Sequence, residues 1–155
     1  MTDFSDLLRP EGVLTGLPAA TKKALFAQLA GTAAGLADLD PRLVTDRLTA
    51  REKLGSTGFG GGVAIPHAKL PGLPAVTGIF ARLAQPIEFG AVDGLPVDLV
   101  FALLSPADAG ADHLKALARV SRRLRDRPFL AKLRGAASRD ALFVLFTDDQ
   151  TRDAA

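Results

Sequence analysis

The stretch REKLGSTGFGGGVAIPHAKL, residues 51–70, decides how the rest of this chain reads. It runs from charged residues on a predicted helix, through glycines, into a short apolar strand that ends at Pro66 and His67. Five of the chain's fifteen glycines lie here: Gly55, Gly58, Gly60, Gly61 and Gly62. A dinucleotide fingerprint needs G-x-G-x-x-G after a strand and before a helix. Counted from Gly58, its third glycine falls on Val63, and the order of elements is reversed. A P-loop fails as well, because Gly60 is followed by Gly61 where that motif has Lys. The glycines instead suit a backbone that turns tightly and comes close to another group.

Pro66 fixes its own φ and has no N–H, so the strand is expected to stop after Ile65 and present His67 at its end. A neutral imidazole keeps one free lone pair and is a good nucleophile near neutral pH. Arg51 lies sixteen residues upstream, and its planar guanidinium can hold phosphate oxygens bidentately. Ser56 and Thr57 offer hydroxyl donors to the same anion, with Gly58 beside them in the loop. The residues alone thus suggest a phosphate-handling histidine. The plainer readings are a structural histidine, a solvated arginine and an ordinary loop.

Upstream, Val13 and Leu14 read as a short strand ended by Gly16 and Pro18. Pro18 suits the start of a helix carrying Ala20, Leu25, Leu29 and Ala33. Asp40 is the expected N-cap of a second helix bearing Leu43, Val44, Leu48 and Leu54. Downstream, Thr77–Leu83 and Val97–Leu104 read as strands joined as a hairpin through the turn at Asp93 and Gly94. Helical spacing returns from Ala109, with Leu114, Leu117, Val120, Ser121 and Leu124 on one face. Pro128 starts a short helix through Leu130 and Leu133. Ser138 and Asp140 open a last one with Leu142, Leu145 and Phe146, although Phe143 and Val144 leave a strand open there. Helices flanking a block of strands predict an α/β (α+β) chain with a helix-covered sheet, its strand order undetermined.

With 155 residues, 48% of them hydrophobic and 23% charged, the chain reads as one compact domain and not as a disordered or fibrous one. It has no Cys, which excludes disulfides, a thiolate nucleophile and thiolate metal sites. Nineteen Lys and Arg against seventeen Asp and Glu give +2, too little to argue for nucleic acid. The densest basic stretch, Arg119–Arg127, reads as the wet side of a helix. No segment approaches the ~20 apolar residues needed to cross a bilayer. Met1–Gly12 has neither the basic nor the apolar region of a leader, so a cytoplasmic chain is expected.

Residues 51–70 resemble the signature of the type-2 IIA domains of the bacterial phosphotransferase system, the mannitol/fructose class. Within that class they are most similar to the nitrogen-regulatory IIA proteins. The pattern R-E-x-x-G-S-T-G-[IF]-G-x-G-[IV]-A-I-P-H-[GA]-K-L is matched at every defined position. The likeness continues through residues 96–107, 112–118 and 133–138 and ends near Asp148; it is weakest before Pro41. It implies one domain over residues 1–155, with its motif-bearing core at about 10–148, and a central mixed β-sheet flanked by helices.

The resemblance also implies a phosphocarrier and a transferase activity. His67 would accept a phosphoryl group at Nε2 from the phosphohistidine of an HPr/NPr-type protein. Arg51 would stabilise the phosphoryl oxygens, and His113 would lie near His67 as an orienting or charge-stabilising group. Ser56, Thr57 and Gly58 would support the phosphate in the loop. Where some nitrogen-regulatory members carry a further histidine, this chain has Lys115. Phe59, Leu70 and Leu73 are candidates for an apolar docking rim. No metal or organic cofactor is required, although the two histidines with Asp108 and Asp112 have the side-chain types of a metal site.

The expected receivers are regulatory targets, such as potassium-transport or sensor-kinase systems. The alternative is a sugar-specific IIA of the fructose or mannitol class, passing phosphate to a IIB cysteine on another protein. A third reading is a binding module in which His67 is structural. Neither nucleic acid nor membrane insertion is expected.

Overall fold

The computed structural model describes residues 3–147; Asp148, where the family likeness ends, lies outside them. The chain runs β1 (Leu8–Leu17), α1 (Lys22–Ala37), α2 (Pro41–Lys53), β2 (Gly58–Gly60), β3 (Val63–Ala64), β4 (His67–Leu70), β5 (Thr77–Ile87), β6 (Val97–Pro106), α3 (Ala111–Arg123), α4 (Arg127–Gly135) and α5 (Arg139–Thr147). The strands form one mixed sheet in the order β1-β5-β6-β3-β2, with β4 also on β6. β5 and β6 are the antiparallel hairpin, and β1 joins β5 in parallel.

Alternation along β6 sorts the core into two layers. Val100, Ala102 and Leu104 face a cluster with Leu25, Leu29, Val44 and Leu48 of α1 and α2. Leu99, Phe101 and Leu103 face Val120, Leu133 and Phe146 of α3, α4 and α5. This is a helix–sheet–helix sandwich, built on a strand buried on both faces.

Several local expectations shift. β1 is ten residues long because an edge strand tolerates Pro10 and the exposed Arg9 and Glu11. The polar-looking N-terminus supplies Phe4, Leu7 and Leu8 to the core. α1 starts at Lys22 and not at Pro18, because the Thr21 side chain accepts the Ala24 N–H and caps it there. Asp40 caps α2 as expected, accepting from Arg42 N–H at 3.0 Å. α3 is rotated from its expected face: His113, Ala116 and Val120 are buried, whereas Leu114 is exposed. Leu54, expected on the buried face of α2, instead follows its last turn and is 84% exposed. The last segment is helical, with Leu142 and Phe146 inward.

Pro66 interrupts the third strand without displacing it. Val63 lies opposite Leu99 on β6 and His67 opposite Leu103, so β3 and β4 hold one register along the same neighbour. Pro66 lacks a donor, but its carbonyl still accepts the Leu103 N–H at 2.9 Å. His67 therefore begins a strand that runs on to Leu70.

Candidate functional site

α2 and β4 meet at the side of the sheet where only β6 pairs with β4. Asp40 and Pro41 start α2, a helix of thirteen residues whose last turn carries Arg51. The Nε–H of Arg51 donates to His67 Nε2 at 3.1 Å. Its Nη1 donates to the Gly55 carbonyl at 2.9 Å, which anchors the guanidinium to the start of the glycine loop.

These contacts settle the His67 tautomer. Arginine is a donor only, so Nε2 must present its lone pair. Nδ1 then carries the proton and donates it to the Ile65 carbonyl at 2.8 Å. Burial is the main effect that pushes the His67 pKa below the ordinary value, and the Arg51 charge adds to it. The Ile65 hydrogen bond and Glu52 oppose the shift. A neutral ring with a bare Nε2 is the nucleophilic form.

His113, in the first turn of α3, brings its ring centroid to 5.6 Å from that of His67. Its Nδ1 lies 2.6 Å from the Ser105 hydroxyl. Burial, and then the nearby His67 and Lys69, lower its pKa. Arg51, His67 and His113 share an open cleft of about 440 Å³ with Arg47, Ala50, Leu54, Ala68 and Lys69. A larger groove of about 780 Å³ lies between α1 and α2, but neither histidine lines it.

The loop turns its polar groups on the protein itself. Glu52 accepts the Thr57 N–H at 3.1 Å and the Thr57 hydroxyl at 2.5 Å, and it pairs with Lys22 at 2.9 Å. Gly58 N–H donates to the Ser56 hydroxyl oxygen at 3.1 Å. Thr57 and Gly58 thus shape the loop that holds Arg51, while Arg51 itself carries the free donor face of the site.

The expected apolar rim is corrected. Leu70 and Leu73 are buried in the core on the α1–α2 side, and Phe59 packs half-buried with the Arg125 guanidinium over its ring. Apolar side chains that are exposed near the site include Leu54, which lines the cleft, and Leu114, next to His113 in sequence. Among the described residues, no three His, Asp or Glu side chains converge as metal ligands.

Residue-level reading missed Arg47, Glu52, Lys69 and Ser105. Arg47 was findable, because it sits one helical turn before Arg51; its Nη1 donates to the Lys69 carbonyl at 3.0 Å. Lys69 follows His67 by two on the same strand face. Nothing local marks Ser105, which reaches the site only through strand pairing.

Comparison with known proteins matches residues 6–149 to the family described as phosphoenolpyruvate-dependent sugar phosphotransferase system, EIIA 2. A nitrogen regulatory protein of Bradyrhizobium diazoefficiens is 55% identical over 138 residues, covering 89% of each chain. The crystal structure of nitrogen regulatory protein IIA-Ntr from Neisseria meningitidis superposes with a TM-score of 0.86 at 34% identity, covering 92% of this chain and 97% of that one. Enzyme IIA of the Escherichia coli mannitol system, solved in complex with phosphorylated enzyme IIB, shares the fold. Its TM-score is 0.75 at 20% identity, over 90% of this chain and 98% of that one.

Proposed function

Because the chain belongs to the EIIA 2 family of the phosphotransferase system, we propose that it is a regulatory phosphocarrier of the nitrogen branch, with His67 as the acceptor. The observation that carries this reading is the Arg51 Nε–H donated to a bare His67 Nε2. The donor is an HPr-type phosphohistidine protein. Its N–P bond breaks, and the electron pair returns to the donor imidazole. The His67 Nε2 lone pair forms the new N–P bond. The proton on His67 Nδ1 stays with the Ile65 carbonyl, which stabilises the ring as it becomes positive.

Arg51 must release Nε2 before attack. Its Nη1 remains on the Gly55 carbonyl, so the guanidinium pivots about that contact and exchanges the lone pair for a phosphoryl oxygen. Phosphoryl transfer asks for little beyond this positioning and charge stabilisation. Both partners are imidazoles, so transfer is close to isoenergetic and reversible. The phosphorylation state is then read by target proteins such as potassium-transport or sensor-kinase systems. No helix of the described residues is long and apolar enough to cross a membrane, and the proposed setting is the cytoplasm. The mannitol enzyme IIA, solved with its phosphorylated IIB, supports a second reading in which phosphate passes to a IIB cysteine.

Incubation with phosphoenolpyruvate, enzyme I and an HPr-type donor tests the reading. One acid-labile, base-stable phosphate per chain is expected, and His67→Ala should abolish it. Stoichiometric labelling of that variant would remove His67 from the role. Arg51→Ala should still be labelled, but on the order of 100-fold more slowly, as for loss of one transition-state donor. Onward transfer to a sugar IIB would favour the second reading.

A further inference from the structure

Ser105 ends the buried run of β6 and has no exposed surface. Its register partner on β4 is Lys69, two residues after His67. By alternation it shares the sheet face of Leu103, the face on which α3 packs. Its hydroxyl oxygen lies 2.6 Å from His113 Nδ1 and, among the described residues, has no other hydrogen-bond partner.

That contact can be made in two ways. If Nδ1 carried the proton, the serine oxygen would accept it and leave the hydroxyl hydrogen buried with no acceptor. If Nδ1 presents its lone pair, the hydroxyl donates to it and both groups are satisfied. The second arrangement puts the proton of neutral His113 on Nε2. His67 holds the opposite tautomer, protonated on Nδ1 and bare on Nε2. Two imidazoles 5.6 Å apart are thus distinguished by the group that each Nδ1 meets, a carbonyl in one case and a hydroxyl in the other.

We propose that Ser105 is a positioning residue that holds His113 in its Nε2–H tautomer. The second imidazole then acts as a hydrogen-bond donor beside His67 and has no free lone pair with which to compete for the phosphoryl group. The functional half of this proposal rests on His67 being the acceptor; the tautomer itself does not.

The test is ¹⁵N NMR of the full, unphosphorylated chain labelled at histidine, at neutral pH. His113 should show an unprotonated Nδ1 and a protonated Nε2, and His67 the reverse. Ser105→Ala should convert the His113 pattern to an average of the two tautomers. It should also slow phosphoryl acceptance by about 10-fold, the lower end of what is lost with a partner that orients a ligand histidine. Ser105→Thr, which keeps the hydroxyl, should restore both. A protonated Nδ1 on wild-type His113 would overturn the proposal, whatever the folding of the variants. So would a Ser105→Ala chain with wild-type pattern and rate. Failure of the wild-type chain to accept phosphate would sink the acceptor reading instead, and the measured tautomers would still stand.

Discussion

His67 has both ring nitrogens engaged, one by a carbonyl and one by a guanidinium, and this makes its titration a stability term. Burial lowers the pKa of both His67 and His113 below the usual value of 6.5. In the unfolded chain both rings protonate first as pH falls, so the unfolded state binds more protons there. Stability is therefore unaffected above about pH 6.5 and is lost as pH falls from there through the folded-state values. Denaturant melts at pH 7.5 and pH 5.5 should show this loss, and His113→Gln should reduce it. Phosphoryl acceptance by His67 should likewise persist below the pH at which a free histidine is half protonated. Asp6, whose pKa the Arg119 hydrogen bond lowers, loses its contribution only below the ordinary carboxylate range, a separate window. The proposed acceptor stood out in the sequence, because a histidine after Pro66 in a glycine-rich frame is a local signal. The buried face of α3 was not, because apolarity alone favoured Leu114, whereas a hydrogen bond turns His113 inward.

At the scale of elements, the glycine loop divides into parts with different duties. Gly60, Gly61 and Gly62 have φ of 113°, 70° and 82° and turn β2 back on β3. Gly58 serves close approach: a Cβ there would meet the Ala91 Cβ at 2.8 Å and the Phe89 ring at 3.0 Å. Gly58→Ala should therefore destabilise the chain by about 1–3 kcal/mol, the usual cost of overpacking, in urea melts. It should also slow phosphoryl acceptance, since the same loop holds the Gly55 carbonyl that anchors Arg51. A wild-type midpoint would show that the loop yields freely. The density of glycine was visible in the sequence, but the wall it packs against lies on the β5–β6 connection and was not.

Across the whole molecule, Phe146 ties the last helix to the first residues. Its ring packs against Phe4, Phe80, Phe101 and Phe129, with centroids 4.8–5.9 Å away. Its carbonyl accepts the Phe4 N–H at 3.0 Å. Phe146→Ala should cost about 3–5 kcal/mol in equilibrium unfolding, as for other buried aromatic truncations. A cost below about 1 kcal/mol would mean that the layer collapses around the vacancy. By itself the sequence determined the layered sheet-and-helix class, the Asp40 cap, the β5–β6 hairpin and the segment that carries His67. All of these rest on patterns within a few residues of one another, where period, caps and turn chemistry act. Tertiary structure alone decided that Arg51 would reach His67 from one face of the sheet while His113 and Ser105 approach from the other. The tautomers follow from that meeting. Those contacts depend on the register between β4 and β6 and on two helices packed on opposite layers, and no local pattern encodes such a register.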